Sequence, residues 1–132
     1  MPPIDIAEVF ARTPRLAITD ATTAAEASAA FPCLAAFNQG GIFAGRFSGE
    51  TPWECHPTGD ELLYVIDGAV EVTILGPAGA EVSTAKAGQV LIVPKGLWHR
   101  QRPLPEVALL TMTPQPSEIS GAADPRQAGL TT

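Results

Sequence analysis

The sequence predicts an all-β fold, an antiparallel barrel or sandwich with a short helix near its N-terminus. Three observations carry this. Apolar runs are short and are cut by 12 glycines and 13 prolines among 132 residues, so the chain must turn often. From Cys33 onward the apolar pattern shifts towards a period of two, the repeat of a half-buried strand. Asp67-Gly68 separates two strongly apolar runs, residues 62–66 and 69–75, as a two-residue hairpin turn would. With 45% apolar residues, a chain of this length forms one domain with a core that needs no disulfide framework.

Taken in order, Asp5 opens a helix over residues 6–11. Its carboxylate can cap the first amides, Glu8 stands three residues on as in a capping box, and Ile4 can staple to Val9. Ile6, Val9 and Phe10 share one face, and Thr13-Pro14 stops the helix. Residues 16–19 can form a strand, and the Ala-rich residues 21–30 read as a packing arm with helical propensity. Residues 1–32 thus make an N-terminal arm and residues 33–113 the barrel, with strands at 42–48, from Thr51-Pro52, and over 62–66 and 69–75. Further strands are expected at 81–84, 90–93, 97–102 and 106–112, separated by Gly76-Pro77-Ala78-Gly79, Lys86-Ala87-Gly88 and Pro94-Lys95-Gly96. Residues 114–132 are rich in Pro, Ser and Thr and read as an irregular tail wrapping the surface.

In the strand at 62–66, Leu62, Tyr64 and Ile66 fall on one face and Leu63 and Val65 on the other. A strand apolar on both faces is covered on both. The N-terminal arm or a second subunit must cover the face away from the core, and a homodimer is the expected solution.

Two stretches hold the chemistry. Residues 49–68 place Glu54, His56, Asp60 and Glu61 within eight positions, and residues 88–99 end on His99, the other histidine of the chain. Strand alternation points Glu54 and His56 the same way and Trp53 and Cys55 oppositely. If the first face is the core, Glu54, His56, Glu61 and His99 converge inside a barrel. Ionisable groups there are costly unless something neutralises them, and a divalent cation does so directly. Two imidazoles with one or two carboxylates suit Fe(II), Mn, Ni, Co or Zn. Gln101 shares the face of His99 and lines the pocket, and Asp60 faces solvent or caps the turn. Cys55 packs as a small apolar residue, and Trp53 and Trp98 pack. Glu54 is either a ligand or the partner of Arg46, Arg100 or Arg102.

These residues resemble the motifs of a small single-domain cupin. Gly88, Pro94, Gly96 and His99 fall at the spacing of the family's second motif, with Pro103 where Asn is usual. Gly49, Glu61 and Gly68 match the first, with His56 at its second histidine and Glu54 where its first histidine usually stands. The resemblance implies a jelly-roll barrel, or antiparallel double-stranded β-helix, with one divalent transition metal held by His56, Glu61 and His99. Glu54 leaves two ligand sets open, a facial triad with Glu61 or a four-ligand set that includes Glu54. Cupins include dioxygenases, decarboxylases, isomerases, storage proteins and binding modules, so the fold does not choose among them. The expectation is a metal-dependent enzyme acting on a small organic molecule, a mononuclear dioxygenase among the options. The alternative is a non-catalytic cupin that binds or senses a small ligand.

Other classes are disfavoured. The net charge of -6 argues against a nucleic-acid surface. No run of about 18 apolar residues offers a membrane span. The N-terminus lacks the basic and apolar regions of a secretory signal, and two cysteines suit a reducing, cytoplasmic setting.

Overall fold

A computed structural model describes residues 1–128. The last four residues of the expected tail lie outside the described residues. Helix α1, Ile6–Arg12, begins as the sequence requires, with the Asp5 carboxylate accepting from the Glu8 amide at 3.1 Å. The capping box is only half formed, because the Glu8 side chain pairs with Arg12 one turn on, at 3.2 Å. Val9 is buried, and Phe10 lies under the Arg46 guanidinium. Strand β1 is short, Leu16–Ala17, and pairs in parallel with the far end of β3. Helix α2, Ala24–Ala30, carries the complete capping box: Thr23 accepts from the Glu26 amide, and Glu26 accepts from the Thr23 amide. That Thr-x-x-Glu signal was present in the sequence and fixes the start of the helix.

The described residues then form strands β2 (Cys33–Phe37), β3 (Gly40–Ser48), β4 (Trp53–Cys55), β5 (Glu61–Gly76), β6 (Gly79–Lys86), β7 (Val90–Val93), β8 (His99–Pro114) and β9 (Glu118–Ser120). The result is a curled antiparallel sheet, the jelly-roll barrel expected. Strand β8 is its spine: it pairs with β3 over residues 40–48, with β5 along both halves, and with β4 where Glu54 faces His99. Strands β6 and β7 pair with the opposite edge of β5. No described helix is long and apolar enough to cross a membrane.

Three expectations are corrected. Asp67-Gly68 is not a hairpin turn. Strand β5 runs straight through it, and the pairing with β8 shifts register on both sides, between Val65 and Asp67 and between Gly68 and Val70. Gly68 takes φ 78°, and a side chain there would run into the Glu106 carbonyl. Arg46 holds Asp67 at 3.0 Å. The continuous partner strand β8 turns a would-be hairpin into a bulged strand. Likewise, the two strands expected at 97–102 and 106–112 are one, because β5 pairs across the interval. The tail, expected to be irregular, contributes β9, which pairs with β4.

The core face of β5 is that of Leu63 and Val65. With Phe47, Val70, Val72, Ala85, Val93, Val107 and Leu109 they form the buried cluster, and Leu16, Ile18 and Phe31 of the arm pack against it. Glu61 shares this face and enters the same interior. The arm therefore closes the barrel interior with α2 and Phe31, while α1 covers the outside of β3.

Candidate metal centre

His56, just after β4, and Glu61, at the start of β5, flank the bend at residues 57–60. His99 begins β8 after the turn at residues 94–98. Asp60 ties that turn down, its carboxylate accepting from the Lys95 amide at 2.7 Å, and the Gly96 amide donates to the His56 carbonyl at 3.0 Å. The two motif loops are thereby locked together, and His56, Glu61 and His99 meet in the interior, all buried. One ligand atom from each lies within 4.8 Å of the others.

Each donor is held from behind. Thr113 donates to Glu61 Oε2 at 2.6 Å and so must accept from Thr111, 2.7 Å away. Glu61 Oε1 is left facing inward, 3.3 Å from His56 Nε2 and 3.2 Å from His99 Nε2. The His99 Nδ1 lies 3.2 Å from the Leu97 carbonyl, which can only accept, so the proton sits on Nδ1. Ser117 donates to Gln115 Oε1 at 3.4 Å, leaving its lone pairs for a proton on His56 Nδ1, 3.0 Å away. Both Nε2 atoms can then point lone pairs inward. Despite their short separations, His56 Nε2 and Glu61 Oε1 are buried without a hydrogen-bond partner. That donor set fits a divalent transition metal.

Without a metal the same groups compensate one another electrostatically. Burial disfavours the His56 cation, but the Glu54 and Glu61 carboxylates overcome this and hold its pKa up at about 9. Burial likewise opposes the Glu61 anion, yet the two histidines bring its pKa down to about 2.

Glu54 lies partly exposed at the rim, with Oε1 3.1 Å from His56 Nε2, and it is not in the tight group. Its alternative arginine partners are taken elsewhere: Arg46 by Asp67, Arg100 by Glu50 and Arg102 by Glu71. Trp53 and Cys55 are buried on the opposite face as alternation requires, Trp53 under Arg100. Burial raises the Cys55 thiol, and Glu118 and Glu54 add to it. Sequence reasoning missed Ser117, Thr111 and Thr113. The threonines share a strand face in period two, a usable signal once β8 is known; nothing local marks Ser117.

A cavity of about 260 Å³ runs from this centre into the barrel, lined on one side by Phe31, Phe43 and Phe47. It shares Ala27, Phe31, Thr51 and Glu54 with an outer groove of about 780 Å³ between the arm and the tail, so Glu54 stands at its mouth.

Residues 47–103 match a family model described as a cupin domain. A germin-like protein from Brassica napus is 36% identical over 93 residues, 64% of this chain and 44% of that protein. The chain spans less than half the length of the curated relatives it matches. Among solved structures, a cupin-2 domain protein from Shewanella frigidimarina superposes with a TM-score of 0.53 at 21% identity, covering 68% of this chain and 79% of that one. A hydroquinone 1,2-dioxygenase from Sphingomonas superposes at 0.55 with 19% identity, covering 70% and 66%. At these identities both show likeness of fold.

Proposed function

We propose that the chain is a cupin, as the match of residues 47–103 to the cupin domain model and the likeness to a germin-like protein support, and that it binds one divalent transition metal through His56, Glu61 and His99 and acts on a small organic molecule held in the barrel. The observation that carries this is the pair of buried, partnerless atoms, His56 Nε2 and Glu61 Oε1, converging with His99 Nε2. A bound metal would polarise a ligand oxygen as a Lewis acid or, if iron, support oxygenation. The chain's own residues supply the rest. Thr113 and Ser117 fix the donors, the phenylalanine wall excludes water, and Glu54 at the mouth serves as a fourth ligand or moves a proton. Two imidazoles and a carboxylate favour an oxygenase over a decarboxylase or isomerase.

A second reading has its own support. The site is charge-compensated without a metal, His56 being a cation between two carboxylates below about pH 9. That arrangement would also serve a non-catalytic cupin binding a small ligand. Elemental analysis of untagged protein separates the two: about one equivalent of metal, lost from His99→Ala, is expected for the first reading. Full occupancy in a His56→Ala, His99→Ala double variant would overturn the ligand set.

The same reading includes a homodimer. On the outer face of the sheet, Ile42, Met112, Leu62 and Ile92 lie side by side across β3, β8, β5 and β7, and Leu110, Tyr64 and Val90 continue the next row from Ala44, which is itself buried. Tyr64 is 38%, Ile92 47% and Val90 55% exposed, so the chain's own arm leaves this patch open. A twofold contact would close it. Both cysteines are free, as a cytoplasmic setting would keep them.

A further inference from the structure

Gln101 presents a buried acceptor that the metal reading does not use. Its backbone is fixed by Thr51, whose hydroxyl accepts from the Gln101 amide and whose own amide donates to the Gln101 carbonyl, both at 2.9 Å. Its side chain lines the interior cavity, and Oε1 is buried without a partner. Of the neighbouring polar groups, Thr111 is engaged with Thr113, Thr113 with Glu61, and Ser117 with Gln115 and His56, while the Glu54 and Glu61 carboxylates on the same cavity lie against His56. A buried acceptor left unpaired is a standing cost that a donor on a ligand removes. Phe31, Phe43 and Phe47 line the same cavity, and Phe31 and Phe47 meet edge to face at 5.2 Å. The cavity, about 260 Å³, takes a small ring in its inner part and opens past Glu54 into the outer groove.

We infer that Gln101 orients the ligand, accepting a hydrogen bond from a hydroxyl on a small molecule whose flat apolar body lies against Phe31, Phe43 and Phe47. This rests on the reading of the barrel interior as the ligand chamber, though not on the presence of a metal. An apolar wall supplies affinity without direction, and a single buried polar group then sets which way the ligand lies. A ligand of the same shape lacking the hydroxyl leaves Oε1 unpaired and binds more weakly.

The test uses the full chain treated with a chelator, with phenol and fluorobenzene as probes of nearly equal shape. Binding is followed by the NMR shift of the Gln101 side-chain amide and, in variants, of neighbouring backbone amides. The unaltered protein should prefer phenol about tenfold, the value of one well-placed hydrogen bond. Gln101→Met, similar in volume, should reduce that preference to within twofold, and Gln101→Glu, which keeps an acceptor, should retain it. Cobalt(II) titration by visible absorption is run separately and should be unchanged in Gln101→Met. Equal binding of the two probes, a preference that survives Gln101→Met in the folded protein, or no binding of either probe at millimolar concentration would overturn the proposal. Loss of cobalt binding in Gln101→Met would overturn it differently, making Gln101 a metal ligand. If the probes behave as expected while no metal binds, the metal reading fails alone.

Discussion

Thr113 holds one oxygen of a buried carboxylate whose other oxygen faces two imidazoles. Thr113→Val removes the donor while keeping the shape. The metal-free protein should lose about 1–3 kcal/mol by urea denaturation, the range for a hydrogen bond to a charged group or an acceptor left unpaired. An unchanged midpoint would mean that Glu61 finds water instead. The charges also set a pH profile. The pKa of His56 is raised from 6.5 to about 9, so its contribution to metal-free stability is whole below 6.5 and is lost as pH rises through about 9. The pKa of Glu61 is lowered from 4.5 to about 2, so its contribution is whole above 4.5 and is lost as pH falls through about 2. From these two groups, stability without metal should be greatest between about pH 4.5 and 6.5 and decline on either side. Metal affinity should follow a different course, strengthening as pH rises towards about 9, because binding must displace a proton from His56. Cobalt titrations at several pH values check it, and an affinity flat from pH 6 to 9 would contradict a protonated His56.

At the scale of the element, β5 and β8 decide the architecture, each 16 residues long and paired with the other through two shifts of register. The bulge at Asp67-Gly68 lets a single strand bend and serve both ends of the barrel. Gly68→Ala should destabilise the protein by about 1–3 kcal/mol, since alanine at this positive φ is strained and meets the Glu106 carbonyl. Thermal unfolding of the variant measures this. No loss would mean that the strand relaxes into another register. The sequence carried the Asp-Gly pair and the apolar runs around it. It could not separate a hairpin from a bulge, because that depends on a partner strand more than thirty residues away.

For the whole molecule, the exposed patch of Tyr64, Val90 and Ile92 sets the expected assembly. Light scattering at micromolar concentration should give the mass of two chains. Tyr64→Asp should give a folded monomer, because a carboxylate would be buried at the contact, at a cost of several kcal/mol unless paired. Unaltered protein that scatters as a monomer would count against the dimer. A Tyr64→Asp variant that unfolds would place Tyr64 in the chain's own packing.

What the sequence determined by itself is local. Asp5 and Pro14 bounded a helix, Gly and Pro placed most turns, and motif spacing put His56, Glu61 and His99 at the loops and strand ends that converge. Those signals reach only a few residues along the chain, as backbone propensity and strand alternation do. The tertiary structure decided what depends on distant partners. It put Leu63 and Val65 inside, left Tyr64 outside, and brought Thr113 behind Glu61 and Ser117 behind His56. It also left His56 Nε2, Glu61 Oε1 and Gln101 Oε1 buried without partners. Whether a buried polar atom is satisfied is a property of everything packed around it, and alternation along one strand carries no record of that.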